Sequence, residues 1–261
     1  MRLLRRPQSA IGERTREKQA RFRSNRSSCR QIFYFRNIIE QCIEYRHPLC
    51  VNFVDFQKAF DGIHRESLWA ILRIPQTFVD VFRSLYLNSS CCVKTENGRT
   101  GFFEITTDVK QGWILSPILF NIALDLVMRE AMKLNEAGIG WNNEGRLTDL
   151  DYADYIALPA KTDSKLHQAT TNLNREAKKI GLRIGSEKSK GNAQIDIDVG
   201  AVRLEDVAKF TYLGSTVAYD GDDEIDVRTR IAKAASVFRM LQPMRRPISQ
   251  TTSRCACTSQ L

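Results

Sequence analysis

Leu49-Cys50-Val51-Asn52-Phe53-Val54-Asp55-Phe56 is a nearly continuous apolar run with β-branched members. A half-exposed strand would alternate apolar and polar residues. This run does not, so it reads as a central strand covered on both faces. Its acidic member, Asp55, is the anomaly, because a buried ionised carboxylate is costly unless it is paired or metal-bound. Upstream, Ile32, Phe35, Ile38, Ile39, Cys42 and Ile43 recur at helical spacing. They predict an amphipathic helix from Gln31 to about Tyr45, ended by His47-Pro48.

Downstream, Glu66 to Leu72 and Phe78 to Leu87 read as two helices split by Pro75. Cys91 to Thr95 and Thr100 to Ile105 flank Asn97-Gly98, a two-residue hairpin signal. Ser116-Pro117 opens a long helix to about Leu134, with proline at the favoured first position. Arg146 to Tyr152 and Tyr155 to Leu158 predict a second hairpin with Ala153-Asp154 at its tip. Residues 164–180 form a helix stopped by Gly181. Short strands follow around 182–184, 193–204 and 210–213, then a last helix from Asp222 to Leu241. The order strand, helices, hairpin, helix, strand predicts an α+β fold compatible with a split βαβ sheet.

The chain has 261 residues with 39 Lys+Arg, 30 Asp+Glu and a formal charge of +9. Eleven of the cations lie in residues 1–36 beside two acids, so the remaining residues are balanced at 28 of each sign. A hydrophobic fraction of 43% and a charged fraction of 26% exclude global disorder. The most apolar stretch, Trp113 to Met128, is broken by Ser116, Pro117, Asn121 and Asp125 and is too short to span a bilayer. No apolar signal segment follows the Arg-rich start. Seven cysteines without framework spacing read as reduced thiols. Together these predict an intracellular protein of cytoplasm or nucleus. Cys255-x-Cys257 lacks partners at ligand spacing for zinc.

Asp154, between Ala153 and Tyr155, is the second misplaced acid. Carboxylates from distant sequence positions, brought to adjoining strand ends, make a hard-oxygen site suited to Mg²⁺. Two such ions can serve phosphoryl transfer. Both residues also have plain structural uses: Asp is common at hairpin tips, and Asp after a strand often caps the next helix.

Three segments sharpen this reading. Phe53-Val54-Asp55-Phe56-Gln57-Lys58-Ala59-Phe60-Asp61, then Lys110-Gln111-Gly112-Trp113-Ile114-Leu115-Ser116-Pro117-Ile118-Leu119-Phe120-Asn121, then Tyr152-Ala153-Asp154-Tyr155 resemble three successive core motifs of the reverse transcriptase domain. The likeness is to the kind carried by non-LTR (LINE-like) retrotransposons. Lys18-Gln19-Ala20-Arg21-Phe22-Arg23 resembles the finger segment, Gly181-Leu182-Arg183-Ile184 to Lys190 the later palm motif, and Phe210-Thr211-Tyr212-Leu213-Gly214 the primer-grip hairpin. The likeness runs in order over roughly residues 15–241.

The resemblance implies a right-hand polymerase with fingers and a ferredoxin-like (split βαβ) palm sheet packed on helices, the thumb missing or incomplete. It divides the chain into a basic arm or partial fingers at 1–30, a fingers-palm domain at 31–241 with its palm core at about 49–214, and a disordered tail at 242–261. It implies an RNA-directed DNA polymerase using an RNA template, a DNA primer, dNTPs and two Mg²⁺ ions, for which Mn²⁺ can substitute. Asp55 and Asp154 become catalytic metal ligands and Phe60 the gate that favours dNTPs, though Phe60 also reads as a core aromatic. Gln111 and Gly112 would line the nucleotide pocket, and Lys188 would act near the leaving pyrophosphate. Arg21, Arg23, Arg26, Tyr212, Leu213 and Gly214 would contact nucleic acid.

The sequence departs from the pattern at Tyr155, where the family has a second Asp. A phenol with an ordinary pKa near ten is neutral at pH 7, so one of three negative charges is lost. Asp151, three residues before Asp154, is expected to face elsewhere and not to replace it. Arg21 and Ser24-Asn25 stand where the family has Gly and Pro-Gly. The chain leaves no room for the endonuclease that precedes the domain in such elements. The expectation is therefore a truncated copy with impaired or no activity; a catalytically dead nucleic-acid-binding remnant is the alternative.

Overall fold

The computed structural model describes residues 27–72, 75–87, 90–96, 98–104, 115–133, 137–140, 145–185, 189–191, 198–199, 202–203 and 205–241. Helix α1 (Ser28–Glu44) starts at Ser27, whose side chain accepts the Arg30 amide at 3.3 Å, and buries Ile32, Phe35, Ile38 and Ile39 along one face. This cap satisfies one of the helix's free N–H groups. Strand β1 (Cys50–Asp55) follows, buried from Val51 onward. Helices α2 (Arg65–Ile71) and α3 (Gln76–Tyr86) come next.

An exposed arm holds β2 (Ser90–Cys91), β3 (Lys94–Thr95), β4 (Gly98–Arg99) and β5 (Phe103–Glu104). Thr95 pairs with Gly98. The turn therefore falls one residue earlier than the Asn97-Gly98 signal predicts, and Gly98 joins the strand at φ 129°. Helix α4 (Ser116–Met132) begins at Ser116-Pro117 as expected. Strands β6 (Ile139–Gly140) and β7 (Arg146–Leu147) pair with each other. Arg146 and Leu147 are thus not part of the following hairpin, which is β8 (Leu150–Tyr152) with β9 (Tyr155–Ala160).

Helix α5 (Asp163–Lys179) is capped by Thr162 and stops at Gly181, φ 89°. The remaining elements are β10 (Lys190–Gly191), β11 (Asp198–Val199), β12 (Val202–Arg203), β13 (Glu205–Asp206), β14 (Lys209–Tyr212), β15 (Ser215–Ala218) and α6 (Glu224–Leu241).

The main sheet runs β13-β10-β1-β9-β8. β1 is antiparallel to both β9 and β10, and β8 is antiparallel to β9. β1 and β8 therefore run parallel with β9 between them, which is the split βαβ order expected from the sequence. Helices α2 to α5 cover one face around Val54, Leu119, Phe120, Leu124, Ile156, Leu158 and Leu166. Helix α1 and the β14–β15 hairpin cover the other around Phe35, Ile38, Phe53, Ala157 and Tyr212. Each fully buried large apolar side chain contributes about 1.5–3 kcal/mol relative to exposure. Between these cores β1 has no face to spare for a solvated charge. Among the described residues no helix is long and apolar enough to cross a membrane.

Candidate active site

β1 delivers Asp55 at its C-terminal end, where the residue is 6% exposed. The backbone there is held from the side of β10. The Asp55 amide donates to Ser189 Oγ at 3.1 Å, and its carbonyl accepts the Gly185 amide at 2.8 Å. Phe56 bridges Ile184, and the Gln57 amide donates to the Arg183 carbonyl at 2.9 Å. A side chain on Gly185 would bring its Cβ to 3.1 Å from the Asp55 carbonyl oxygen. The segment Arg183–Gly185 is thus seated against the backbone that carries the acid. Sequence reading marked this segment but missed Gly185 and Ser189; a small residue beside a strand-end acid is the only signal they carry.

Asp154 sits at the β8–β9 tip, half-buried, after Ala153 at φ 57°. Left-handed backbone on a residue with a Cβ costs about 1–3 kcal/mol and collects at functional sites. Across the sheet Asp55 pairs directly with Tyr155, so Asp154 lies one residue from Asp55's cross-strand partner. Asp55 and Tyr155 share a face of the sheet, because directly opposed residues project to the same side. With Phe53, Val54, Ile156, Phe210 and Tyr212 they line a crevice too tight to admit a water molecule. Asp151 pairs with Ile156, one step along, and so projects to the opposite face.

The β14–β15 hairpin closes this crevice. Phe210 stacks on Phe53 at 4.2 Å with a 14° tilt between rings. Tyr212 packs at 5.4 Å from Phe53 and 5.6 Å from Phe35, and its hydroxyl donates to the Leu150 carbonyl at 3.4 Å. Burial, with Asp151's charge nearby, pushes the Tyr212 phenol well above its ordinary range. Only 1% of Tyr212 is exposed. It therefore anchors the hairpin instead of reaching nucleic acid, and the accessible tip is Leu213-Gly214, at φ 50° and 87°. Phe60 is half-buried and stacks on Phe120 of α4 at 4.7 Å, beyond the turn that follows β1. Gln111, Gly112, Lys188, Arg21, Arg23 and Arg26 lie outside the described residues.

The donor set decides what such a site could hold. Carboxylate oxygens, from Asp55 at the end of β1 and Asp154 in the β8–β9 turn, are the donor type a hard divalent ion takes. Among the described residues no three His, Cys, Asp or Glu side chains converge in a way that could hold a metal. Asp55 and Asp154 are hard oxygen donors but, as two carboxylates, too few to hold a pair of ions, so no step is assigned to a second.

A strand-end acid, a two-residue hairpin carrying another, and a βαββαβ sheet are the arrangement of a template-directed polymerase palm. The family model for reverse transcriptase (RNA-dependent DNA polymerase) matches residues 3–217, and the chain belongs to that family. It is 27% identical over 176 residues to the retrovirus-related Pol polyprotein from type-2 retrotransposable element R2DM of Drosophila melanogaster, covering 66% of this chain and 16% of that protein. It is 28% identical over 172 residues to the Pol polyprotein of a type-1 element R2 of Bradysia coprophila, covering 62% and 18%. The chain thus spans less than a fifth of the length of these relatives.

Its fold resembles apo telomerase from Candida tropicalis, with TM-score 0.59 and 16% identity over 84% of this chain and 39% of that one. It also resembles telomerase from Candida albicans in complex with a fragment of telomeric RNA, with TM-score 0.59, 13% identity, and 83% and 37% covered. The right-hand polymerase architecture implied by the motifs is therefore the fold of this chain.

Proposed function

We propose that this chain is the fingers-palm part of a retrotransposon's RNA-directed DNA polymerase, and that its nucleotide addition is impaired or absent. In this reading the RNA template and DNA primer run over the palm, and dNTPs enter beside Phe60. Asp55 and Asp154 hold a divalent ion, Mg²⁺ or Mn²⁺. When bound, that ion would help activate the primer 3′-oxygen and neutralise phosphate charge. Asp55 is kept in place by Ser189 and Gly185, while the Phe210–Phe53 stack fixes the primer-grip hairpin over the same crevice. The single observation that supports impairment is the Asp55–Tyr155 pairing. A neutral phenol stands where the family's second carboxylate belongs, on the same sheet face as the first acid. It removes one ligand charge and adds a ring where primer or ion needs space.

Primer extension on an RNA template, with Mg²⁺ and with Mn²⁺, tests this. The expected result is little or no product from the unaltered chain and recovered product from Tyr155→Asp. Robust extension by the unaltered chain sinks the reading. A second reading, nucleic-acid binding without chemistry, is favoured by the absence of a three-ligand cluster among the described residues. Salt-dependent binding with no extension by either form supports it.

A further inference from the structure

The arm Ser90–Glu104 stands apart from both cores. All its described side chains are exposed except Cys92, which is half-buried. A lone two-stranded hairpin is marginal in water, so an arm that buries so little gains from being bound. Its chemistry is specific. Lys94 and Arg99 are direct cross-strand partners, an arrangement that costs stability because like charges face each other. Neither has an ion-pair partner among the described residues, although Glu96 lies at the turn between them.

Closer to the base, Cys91 pairs with Phe103, whereas the Thr100 amide donates to the Val93 carbonyl at 3.0 Å and the Val93 amide donates to Thr100 Oγ1 at 2.9 Å. The register slips by one residue between those two points, and the extra residue falls within Thr100–Phe102. Such a bulge re-aims side chains. Here it leaves two successive phenylalanines on the surface, Phe102 at 73% and Phe103 at 51% exposed.

We infer that this arm is a contact for single-stranded nucleic acid, with Lys94 and Arg99 on backbone phosphates and Phe102 and Phe103 as platforms for bases. Two cations without an ion pair among the described residues, beside two exposed aromatic rings, match the two parts of such binding, phosphate neutralisation and stacking. A peptide without acidic residues would find apolar rings here but no use for the opposed cations. The inference rests on the nucleic-acid reading above, yet concerns a surface distant in sequence from Asp55 and Asp154.

Anisotropy titrations of the full chain with labelled oligouridine and oligothymidine, over a range of salt, test it. Lys94→Ala with Arg99→Ala is expected to weaken binding and reduce the salt slope by about 0.7 per cation removed. Phe102→Leu with Phe103→Leu is expected to weaken it roughly tenfold per ring while leaving the slope unchanged. Glu96→Lys is expected to tighten binding, which guards against loss through misfolding. The two oligomers separate an RNA from a DNA contact.

If the unaltered chain binds neither oligomer, the nucleic-acid reading and this inference fail together. If it binds but all the arm variants match it, only this inference is overturned. A change in self-association, without nucleic acid and with unchanged binding, would mark the rings as a protein contact and also overturn it.

Discussion

Asp55 and Tyr155 are direct partners across the β1–β9 ladder, one hundred residues apart in sequence and side by side in the sheet. Placing an acid at this position, as the proposed function asks, would oppose two carboxylates. Like charges facing across strands cost about 0.2–1 kcal/mol. Tyr155→Asp is therefore expected to melt lower than the unaltered chain in EDTA, and to gain more from Mg²⁺ than the unaltered chain does. Melting curves with and without the ion measure this. Equal Mg²⁺ shifts in both forms would count against Tyr155 standing in a ligand position.

Ser189 extends the ladder one residue before β10 begins. Its hydroxyl, fully buried, accepts the Asp55 amide. Ser189→Ala orphans that amide and is expected to cost about 1–3 kcal/mol. Urea denaturation reads the loss directly; an unmoved midpoint would show that the hydroxyl is dispensable.

Gly181 ends α5 at φ 89° against the loop after β1. A Cβ there would lie 2.7 Å from His64 Cδ2 and still closer to the Gly62 carbonyl oxygen. Neither backbone strain nor contact can be relieved cheaply. Gly181→Ala should lose at least about 2 kcal/mol. Gly101→Ala, with open space around it, is the control expected to change stability little.

Asp226 supplies a pH signature. Burial pushes its pKa up, but the Thr216 amide at 2.7 Å, the Ser215 hydroxyl at 2.9 Å and Arg230 at 2.8 Å outweigh this and hold it below the ordinary carboxylate range. A group depressed in the folded state contributes stability above its unfolded pKa, about 4, and loses it as pH falls further. Asp226→Asn should therefore be less stable near neutrality and converge on the parent in acid. Urea midpoints across that range measure it, and parallel curves would contradict the assignment.

Much of the fold was legible because hydrophobic period and punctuation agree. The apolar run at 49–56, the helix stripe of Ile32, Phe35, Ile38 and Ile39, and the Gly181 stop all lie within a few residues of the observed elements. Pro159 marks a limit. The sequence reading ends its strand at Leu158, since proline cannot donate to a ladder. The structure continues to Ala160, because β8 reaches only as far as Ala157 and leaves Pro159 paired with Val51 alone.

The acids were legible as anomalies, whereas their supports were not. Ser189 and Gly185 act through backbone geometry that no periodicity reports. Arg36 was counted among the eleven cations of residues 1–36, yet it is committed to Asp223 at 2.6 Å and Asp226 at 2.8 Å. Its charge steadies the start of α6 and is not available to phosphate. Tyr212 was read as a nucleic-acid contact because of its motif, but the pull of a large apolar ring into the core prevails.

The position of β1 in the middle of its sheet also sets an order of assembly. Both neighbours, β9 and β10, are made at least one hundred residues later. At about 5–20 residues per second of synthesis, Val51 to Val54 wait several seconds with two unpaired edges. Distant pairings also form slowly. The Asp55 site is thus a late product of folding, and a ribosome that stalls before β9 leaves behind a sticky, open-edged strand.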